Sequence, residues 1–272
     1  MKIPFWKMHG ASNDFILVDD RAQTFPATDR TWLAQIMARH TGIGSEGFLL
    51  VQPSKQADFR MRFFNPDGGE AEMCGNGARC IARFAHDRGV APASMKIETI
   101  AGEVRADVLG ARVRLHMPPP RDWQLDRRLT VEGREWTYHF VNTGVPHAVV
   151  EAADLAAVDV ARVGAAIRHH AAFAPRGTNA NFIHVEPDGT VRVRTFERGV
   201  EAETLACGTG MVASALVAGK LGRVIPPVHV RPASSDDLEV SFELTAAGAR
   251  EVTLLGPAEY VFQGELVYPA AC

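Results

Sequence analysis

The chain carries one sequence pattern twice, and this repeat restricts its architecture more than any other property. A strand-like segment from Arg60 precedes a glycine-rich turn at Cys74, and a similar segment from Arg192 precedes a second such turn at Cys207. The turns read Met73-Cys74-Gly75-Asn76-Gly77 and Ala206-Cys207-Gly208-Thr209-Gly210, almost half of the 272 residues apart. The repeat predicts two halves of similar fold.

Local patterns in both halves follow the same order of strand, helix, strand, strand and cysteine turn. Apolar residues at helical spacing predict a helix over residues 28–39, with Thr28 as N-cap, and another over 159–170, with Asp159 as N-cap. A helix is also predicted after each cysteine, and the run 211–218 is apolar enough for the second to be buried on all sides. Alternating residues predict further strands at 103–109, 112–117, 238–244 and 251–255.

These elements predict an α+β fold of two pseudo-symmetric domains, each a mostly antiparallel sheet or barrel wrapped around a central helix. The triple-proline segment at 118–120 is the predicted linker, because consecutive prolines interrupt regular structure. The expected domains are therefore residues 1–117, which carry Cys74, and residues 118–260, which carry Cys207.

The composition is that of a globular protein and excludes several classes of partner. Apolar residues make up 46% and charged residues 22%, and a net charge of -3 provides no basic surface for nucleic acid or an anionic membrane. The N-terminal segment lacks the apolar run of a signal peptide, and no later run is long enough to span a bilayer. We therefore expect a cytoplasmic protein that acts on a small molecule and keeps its cysteines as thiols.

A cysteine immediately before a helix has an environment suited to proton transfer. The N–H groups and dipole of the helix start favour a thiolate by roughly 0.3–1 kcal/mol, which shifts the acidity of the thiol without fixing its protonation state. The same N–H groups can bind a carboxylate, and glycines permit its close approach. Inversion of a stereocentre needs a base on one face and an acid on the other. Cys74 and Cys207, one from each half, supply this pair.

Neither a cofactor nor a metal is expected. The lysines are few and none lies in a glycine-rich turn, so no site for pyridoxal phosphate is evident. The spacing of Cys74, Cys80 and His86 fits no familiar zinc pattern. Cys80 falls inside a predicted helix and is attributed to packing, and Cys272 is expected to have no role.

The chain resembles the diaminopimelate epimerase family, and the matching motifs extend over almost its whole length. They are Lys7 to Gly10, Asn13 to Phe15, Gly42 to Gly44, Phe64 to Gly68, Glu72 to Cys80, Pro146-His147, Gly177 to Asn179, Glu197 to Gly199 and Ala206 to Gly210. The resemblance implies interconversion of LL- and meso-diaminopimelate, in the route to lysine and peptidoglycan, without pyridoxal phosphate or metal. It also implies a last strand, about residues 261–272, that returns to the first domain.

The resemblance assigns roles to individual residues. It implies that Cys74 and Cys207 exchange the roles of proton donor and acceptor with the direction of reaction, beside the polar pair His147 and Glu197. Arg198 is suited to bidentate capture of the distal carboxylate of the substrate. The positions that match the backbone cradle for the reacting α-carboxylate are Gly75, Asn76, Gly208 and Thr209. The positions that match substrate contacts are Asn13, Asn65, Asn179, Glu197 and Arg198.

Three positions depart from the pattern of the family. Val145 replaces an asparagine that many members carry before Pro-His, and Glu46-Gly47 replaces Asp-Gln. Ser12 stands where the first motif usually has its second glycine. The change to Val145 removes one expected polar contact, and none of the three changes alters the cysteines.

Three other functions are open on the sequence. A racemase for proline, hydroxyproline or histidine would use the same pair of sulfurs, although Arg198 favours a longer and doubly charged substrate. A thiol redox protein would join Cys74 to Cys207 in a disulfide and leave the glycine-rich turns without a purpose. A cysteine-nucleophile hydrolase would leave the second cysteine unexplained. Arg198 could also pair with Glu201 or Glu203 instead of substrate, and a homodimer is left open.

Overall fold

The sequence repeat appears as two copies of one element order within residues 1–269, the part of the chain that the computed structural model describes. One unit contains residues 1–115 together with the described residues from 256 onward, and the other contains residues 116–255. Each unit is an α+β domain of mostly antiparallel strand pairs with a buried helix. The boundary after residue 115 lies just before the triple-proline segment at 118–120.

The elements up to the unit boundary are β1 (Lys2–Gly10), β2 (Asn13–Asp19), α1 (Arg30–Met37), β3 (Gly47–Gln52), β4 (Phe59–Phe64), β5 (Glu70–Ala71), α2 (Gly75–Asp87), β6 (Ser94–Thr99), β7 (Gly102–Leu109) and β8 (Arg112–His116). Those that follow are β9 (Arg121–Val131), β10 (Arg134–Asn142), β11 (Pro146–Glu151), α3 (Val160–Arg168), β12 (Asn179–Val185), β13 (Val191–Glu197), β14 (Ala202–Thr204), α4 (Gly208–Lys220), β15 (Val228–Arg231), β16 (Leu238–Thr245), β17 (Gly248–Pro257) and β18 (Glu259–Val267).

The strands of the first unit pair in an order that the second unit repeats. β1 and β2 form an antiparallel hairpin, β3 runs parallel to β2, and β4 runs antiparallel to β3. In the second unit, β10 and β11 pair antiparallel, β12 runs parallel to β11, and β13 runs antiparallel to β12. The strands after each cysteine repeat as well, since β6 is parallel to β4 and β15 is parallel to β13.

One more strand pair occurs in both units. β18 pairs antiparallel with β1, as β9 pairs antiparallel with β10. Strand β18 thus belongs to the first unit although it follows the whole second unit in the chain.

One buried helix lies at the centre of each unit and begins directly after a cysteine. α2 packs against β1, β2, β3, β4 and β7, and α4 packs against β10, β11, β12, β13, β15 and β16. Every residue of α4 from Gly210 to Gly219 is buried, which confirms the prediction from its apolar sequence. The sequence therefore places each cysteine at the start of a helix that the surrounding strands hold in position.

The outer helices cover separate apolar clusters. α1 begins after Asp29, whose carboxylate accepts the N–H of Trp32, so the predicted cap Thr28 is wrong by one residue. Asp159 caps α3 as predicted, by accepting the N–H of Arg162. Both helices end before the predicted limits, at Met37 and at Arg168. Within residues 1–269, no helix has the length and apolar character to cross a membrane.

Candidate active site

Cys74 occupies the N-cap position of α2, with extended backbone angles of φ −133° and ψ 123°. Its side chain accepts no capping hydrogen bond from the helix, so the sulfur is not used to close the helix start. The Sγ atom lies 3.7 Å from Oδ1 of Asn13, at the beginning of β2. A Cβ added at Gly75 would meet nothing within 4 Å, so the backbone beside the sulfur faces open space.

Asn13 and Asn76 join Cys74 in one polar group. Asn76 donates from Nδ2 to Oδ1 of Asn13 at 3.4 Å, and Nδ2 of Asn13 donates to the carboxylate of Glu46. The guanidinium of Arg79, which is fully buried in α2, donates to Oδ1 of Asn76 at 2.9 Å and to the carbonyl of Pro257 at 3.2 Å. Three predicted site residues of the first unit are therefore in contact.

A cluster of charges supports this group from β1 and β2. The carboxylate of Asp14 lies 2.7 Å from the ammonium of Lys7 and 3.0 Å from the guanidinium of Arg39. Burial opposes the charged carboxylate, but these two cations outweigh burial and hold the pKa of Asp14 below its usual range. Arg39 also pairs with Glu46 at 3.2 Å, which ties Glu46 to the same cluster.

Cys207 occupies the equivalent N-cap position of α4, with φ −114° and ψ 106° and again no side-chain capping hydrogen bond. The sulfur is buried and lies 3.7 Å from the hydroxyl of Thr209. Thr143 donates its hydroxyl to the carbonyl of Thr209 at 3.0 Å, which ties the turn to the loop between β10 and β11. A hydroxyl beside Cys207 can donate to a thiolate or accept from a thiol.

Behind Cys207, His147 and Asn181 form a buried pair that the packing orients. Asn181 accepts the hydroxyl of Thr195 on Oδ1 at 3.0 Å, so its Nδ2 faces Nδ1 of His147 at 3.1 Å. Nδ1 therefore accepts, and the neutral ring carries its proton on Nε2. Complete burial, with a smaller contribution from the positive charge of Arg198, lowers the pKa of His147 to about 3. Within residues 1–269, Nε2 has no hydrogen-bond partner.

Asn179 and Arg198 are also brought together. Oδ1 of Asn179 accepts the backbone N–H of Arg198 at 2.8 Å, and Nδ2 donates to the carbonyl of Pro146 at 3.0 Å. The guanidinium of Arg198 donates to the carbonyl of Arg176 at 3.3 Å. Among residues 1–269 it has no carboxylate partner, so the charge of Arg198 is available to an anionic ligand.

The two glutamates considered as partners of Arg198 are held by other arginines. Arg168 pairs with Glu201 at 3.0 Å. Arg194 forms a bidentate pair with Glu203, at 2.7 and 2.8 Å. The interpretation that Arg198 pairs with either glutamate is therefore wrong.

Two further predicted site residues, Glu197 and Asn65, lie on β13 and directly after β4. Glu197, on β13, accepts the hydroxyl of Thr204 at 3.0 Å. Asn65 follows β4, where its side chain is exposed and its backbone closes a turn with Gly69. No hydrogen bond among residues 1–269 links Asn65 to another predicted site residue.

The other cysteines and the metal-ligating residues add no second site. Cys80 is completely buried in α2, and burial raises the pKa of its thiol to about 12, which keeps it protonated. Cys272 lies outside the described residues. Across residues 1–269, no group of three or more His, Cys, Asp or Glu side chains is arranged to hold a metal ion.

Two of the departures from the family pattern have a structural explanation. A Cβ at Gly47 would lie 2.5 Å from the ring of Phe63 and 3.0 Å from that of Phe15, so aromatic packing excludes a longer side chain there. Ala11 and Ser12 form the turn between β1 and β2, with φ values of 56° and 61°. Glycine adopts such left-handed angles more readily than alanine or serine does.

Sequence reasoning missed Asn181, Arg79 and the role of Glu46. Asn181 is two residues after Asn179 on β12, so both side chains point to the same face, and this alternation was the available signal. An arginine within a predicted buried helix was a comparable signal, because a buried guanidinium requires partners. Glu46 gave no signal, since its contact with Asn13 joins two segments far apart in sequence.

Comparison with known proteins identifies close relatives. The family model described as diaminopimelate epimerase matches residues 5–121 and 139–261. The diaminopimelate epimerase of Aquifex aeolicus is 41% identical over 96% of this chain and 97% of its own length. That of Chlorobaculum tepidum is 43% identical over 95% of this chain and 99% of its own length.

Solved structures show the same fold at much lower identity. A Bacillus anthracis protein of the phenazine biosynthesis PhzF family is 16% identical, with a TM-score of 0.76 over 98% of this chain and 100% of that chain. At this identity the likeness concerns the fold alone.

Proposed function

Because this chain belongs to the diaminopimelate epimerase family, we propose that it interconverts LL- and meso-2,6-diaminopimelate, with Cys74 and Cys207 as the two proton-transfer residues. The observation that carries the proposal is the repeated position of the cysteines. Each is the N-cap of a central helix, and neither side chain is used for capping. A single buried thiol would need no such environment, whereas inversion at carbon needs two.

The helix starts support proton abstraction from a weakly acidic carbon. The N–H groups and partial positive charge of a helix start stabilise the charge that develops on the α-carboxylate in the transition state. The open space at Gly75 allows a carboxylate to approach the backbone of α2. One cysteine removes the α-proton as a thiolate, and the other, as a thiol, donates a proton to the opposite face of the same carbon.

In the proposed reaction, Arg198 and His147 make polar contacts to the substrate. The guanidinium of Arg198 has no carboxylate partner within residues 1–269, so it can take the distal carboxylate of a long substrate. His147 is neutral at physiological pH, because burial lowers its pKa to about 3. It therefore acts as a hydrogen-bond donor through Nε2 and not as a proton-transfer acid.

The direct test is α-proton exchange in deuterated buffer with LL-diaminopimelate under reducing conditions. We expect Cys74→Ser and Cys207→Ser each to lower the epimerisation rate by roughly 10²–10⁴-fold, because each removes one proton-transfer group. Cys80→Ala is the matched control and should retain turnover, since the Cys80 thiol is buried inside α2. Near-normal turnover in either serine variant would refute the two-base mechanism.

A panel of proline, hydroxyproline and histidine in the same assay tests the substrate. If one of these amino acids is turned over and diaminopimelate is not, the proposed role of the two cysteines stands, but the proposed substrate is wrong.

We also propose that the enzyme is a cytoplasmic homodimer. Strand β18 exposes apolar side chains along its length, namely Tyr260, Val261, Phe262 and Val267. Exposed apolar residues grouped on one element are typical of a protein interface. The cytoplasmic location rests on the need to keep the thiols of Cys74 and Cys207 reduced for proton transfer.

A further inference from the structure

A continuous series of polar contacts passes beside Cys74 and has a charged side chain at each end. It starts at the guanidinium of Arg79, passes through the amides of Asn76 and Asn13, and ends at the carboxylate of Glu46. Arg79 is fully buried, whereas Glu46 lies near the surface, where Arg39 pairs with it at 3.2 Å. We refer to these four residues as the amide relay.

The charges at the two ends fix the direction of both amides. A guanidinium can only donate, so Asn76 must present Oδ1 to Arg79 and its NH₂ group to Asn13. An ionised carboxylate can only accept, so Asn13 must present its NH₂ group to Glu46. Oδ1 of Asn13 is thereby turned toward Nδ2 of Asn76, at 3.4 Å, and toward Sγ of Cys74, at 3.7 Å.

We propose that Glu46 is a positioning residue that holds the Asn13 carbonyl toward Cys74 and thereby favours the thiol form of Cys74. The use of that thiol as a proton donor in catalysis rests on the proposed function. An acceptor directed at a sulfur stabilises S–H over S⁻.

Cys207, at the equivalent helix start, has the hydroxyl of Thr209 at 3.7 Å, which can donate to a thiolate or accept from a thiol. The carbonyl of Asn13 can only accept, so it favours Cys74 as the proton donor. The roles of the cysteines reverse after each turnover, and the amide relay favours return of the proton to Cys74.

Other charges near the relay hold the side chain of Glu46 in place. Arg39 bridges Glu46 and Asp14, and Lys7 pairs with Asp14. Arg79 supplies the cation at the inner end. A Coulombic effect of Glu46 on Cys74 would also favour the thiol, so the experiment must separate charge from orientation.

The experiment is a titration of Cys74 by thiolate ultraviolet absorbance and by alkylation rate, in a Cys207→Ser, Cys272→Ser background. Cys80 does not interfere, because burial raises its pKa to about 12. We expect Glu46→Gln to increase the thiolate fraction of Cys74 roughly three- to tenfold below its midpoint, as loss of about one hydrogen bond implies. Glu46→Asp retains a carboxylate and should restore the original titration.

A double-mutant cycle with Asn13→Ala separates orientation from charge. If Glu46 acts through the Asn13 amide, Glu46→Gln has little further effect once that amide is absent. An effect of equal size in the Asn13→Ala background, or none in the native background, would overturn the proposal. Glu103→Gln is the control for loss of one carboxylate, since Glu103 pairs with Lys96 on exposed strands.

This titration does not depend on turnover, so it separates the two proposals. If the serine variants of the cysteines still epimerise, the mechanism fails while the titration of Cys74 stands on its own. If epimerisation needs both cysteines but Glu46→Gln leaves the titration unchanged, only the role of Glu46 is refuted.

Discussion

His147 is a fully buried imidazole that stays neutral at physiological pH, because burial lowers its pKa to about 3. The sequence placed this histidine in the site through its motif, but it could not distinguish a proton-transfer group from a neutral hydrogen-bond donor. That distinction depends on Asn181 and Thr195, which fix the tautomer from two other strands. The protonation state of a residue is a property of its surroundings, and a pattern of residue types does not contain them.

Burial of His147 should make the protein less stable in mild acid. An imidazole in the unfolded chain takes a proton near pH 6.5, whereas the folded protein excludes that proton until about pH 3. The contribution of neutral His147 to the stability of the fold is therefore fully present above pH 6.5 and is lost as the pH falls toward 3. His139, whose pKa burial also lowers, acts with the same sign.

The measurement is denaturant unfolding of wild type and His147→Gln at pH 7 and pH 5.5. Between pH 7 and pH 5.5, the free energy of unfolding should fall by about 1 kcal/mol more in wild type than in the variant, because unfolding of wild type takes up one proton on His147. His40→Gln is the control for removal of an imidazole that is exposed and not buried. Equal losses in wild type and His147→Gln would show that His147 is not excluded from protonation.

At the scale of elements, the helix starts at Cys74 and Cys207 are where sequence reasoning succeeded best. Both helices begin directly after the cysteine, because glycine-rich turns and apolar runs are local signals. Strands β9 and β10 gave no such signal. Most residues of β9 are exposed, so its sequence lacks the alternation that marks a half-buried strand.

Glycines at equivalent helix starts should respond differently to an added methyl group. A Cβ at Gly210 would lie 2.4 Å from Oδ1 of Asn181 and 3.3 Å from Sγ of Cys207, whereas one at Gly75 meets nothing. We expect Gly210→Ala to lower the free energy of unfolding by about 1–3 kcal/mol, because the buried amide must move. Gly75→Ala should leave stability equal or raise it by up to about 1 kcal/mol, since alanine favours the helix.

Activity should fall in both variants for different reasons. In Gly75→Ala the methyl group enters the space assigned to the substrate carboxylate, so KM should rise while the fold is intact. Thermal unfolding and steady-state kinetics on the same preparations separate these effects. Unchanged kinetics in Gly75→Ala would contradict a carboxylate site at this turn.

At the scale of the whole molecule, the repeat predicted two units that share the order strand, helix, strand, strand and cysteine turn, because each copy of the sequence pattern is evidence for the other. The proposed homodimer could not be predicted in this way, since apolar residues on β18 read as an ordinary strand. Only the structure shows that Val261 and Phe262 are exposed, by 57% and 48%.

A charge on β18 should therefore weaken self-association. We expect Val261→Lys to shift the protein from dimer toward monomer in light scattering after size exclusion, because burying a lysine in an apolar interface is costly. Ile225→Lys is the matched control, since Ile225 is 87% exposed and belongs to the other unit. A monomeric wild type, or a Val261→Lys variant that remains dimeric, would contradict the assignment of this surface.

The pairing of β1 with β18 has a consequence for biosynthesis. Strand β1 precedes the second unit in the chain and β18 follows it, so the first unit joins segments that are synthesised before and after that unit. A nascent chain leaving the ribosome holds every strand of the second unit before β18 exists. The second unit can therefore fold before the first. Until β18 is made, β1 has one unpaired edge, which chaperones can bind.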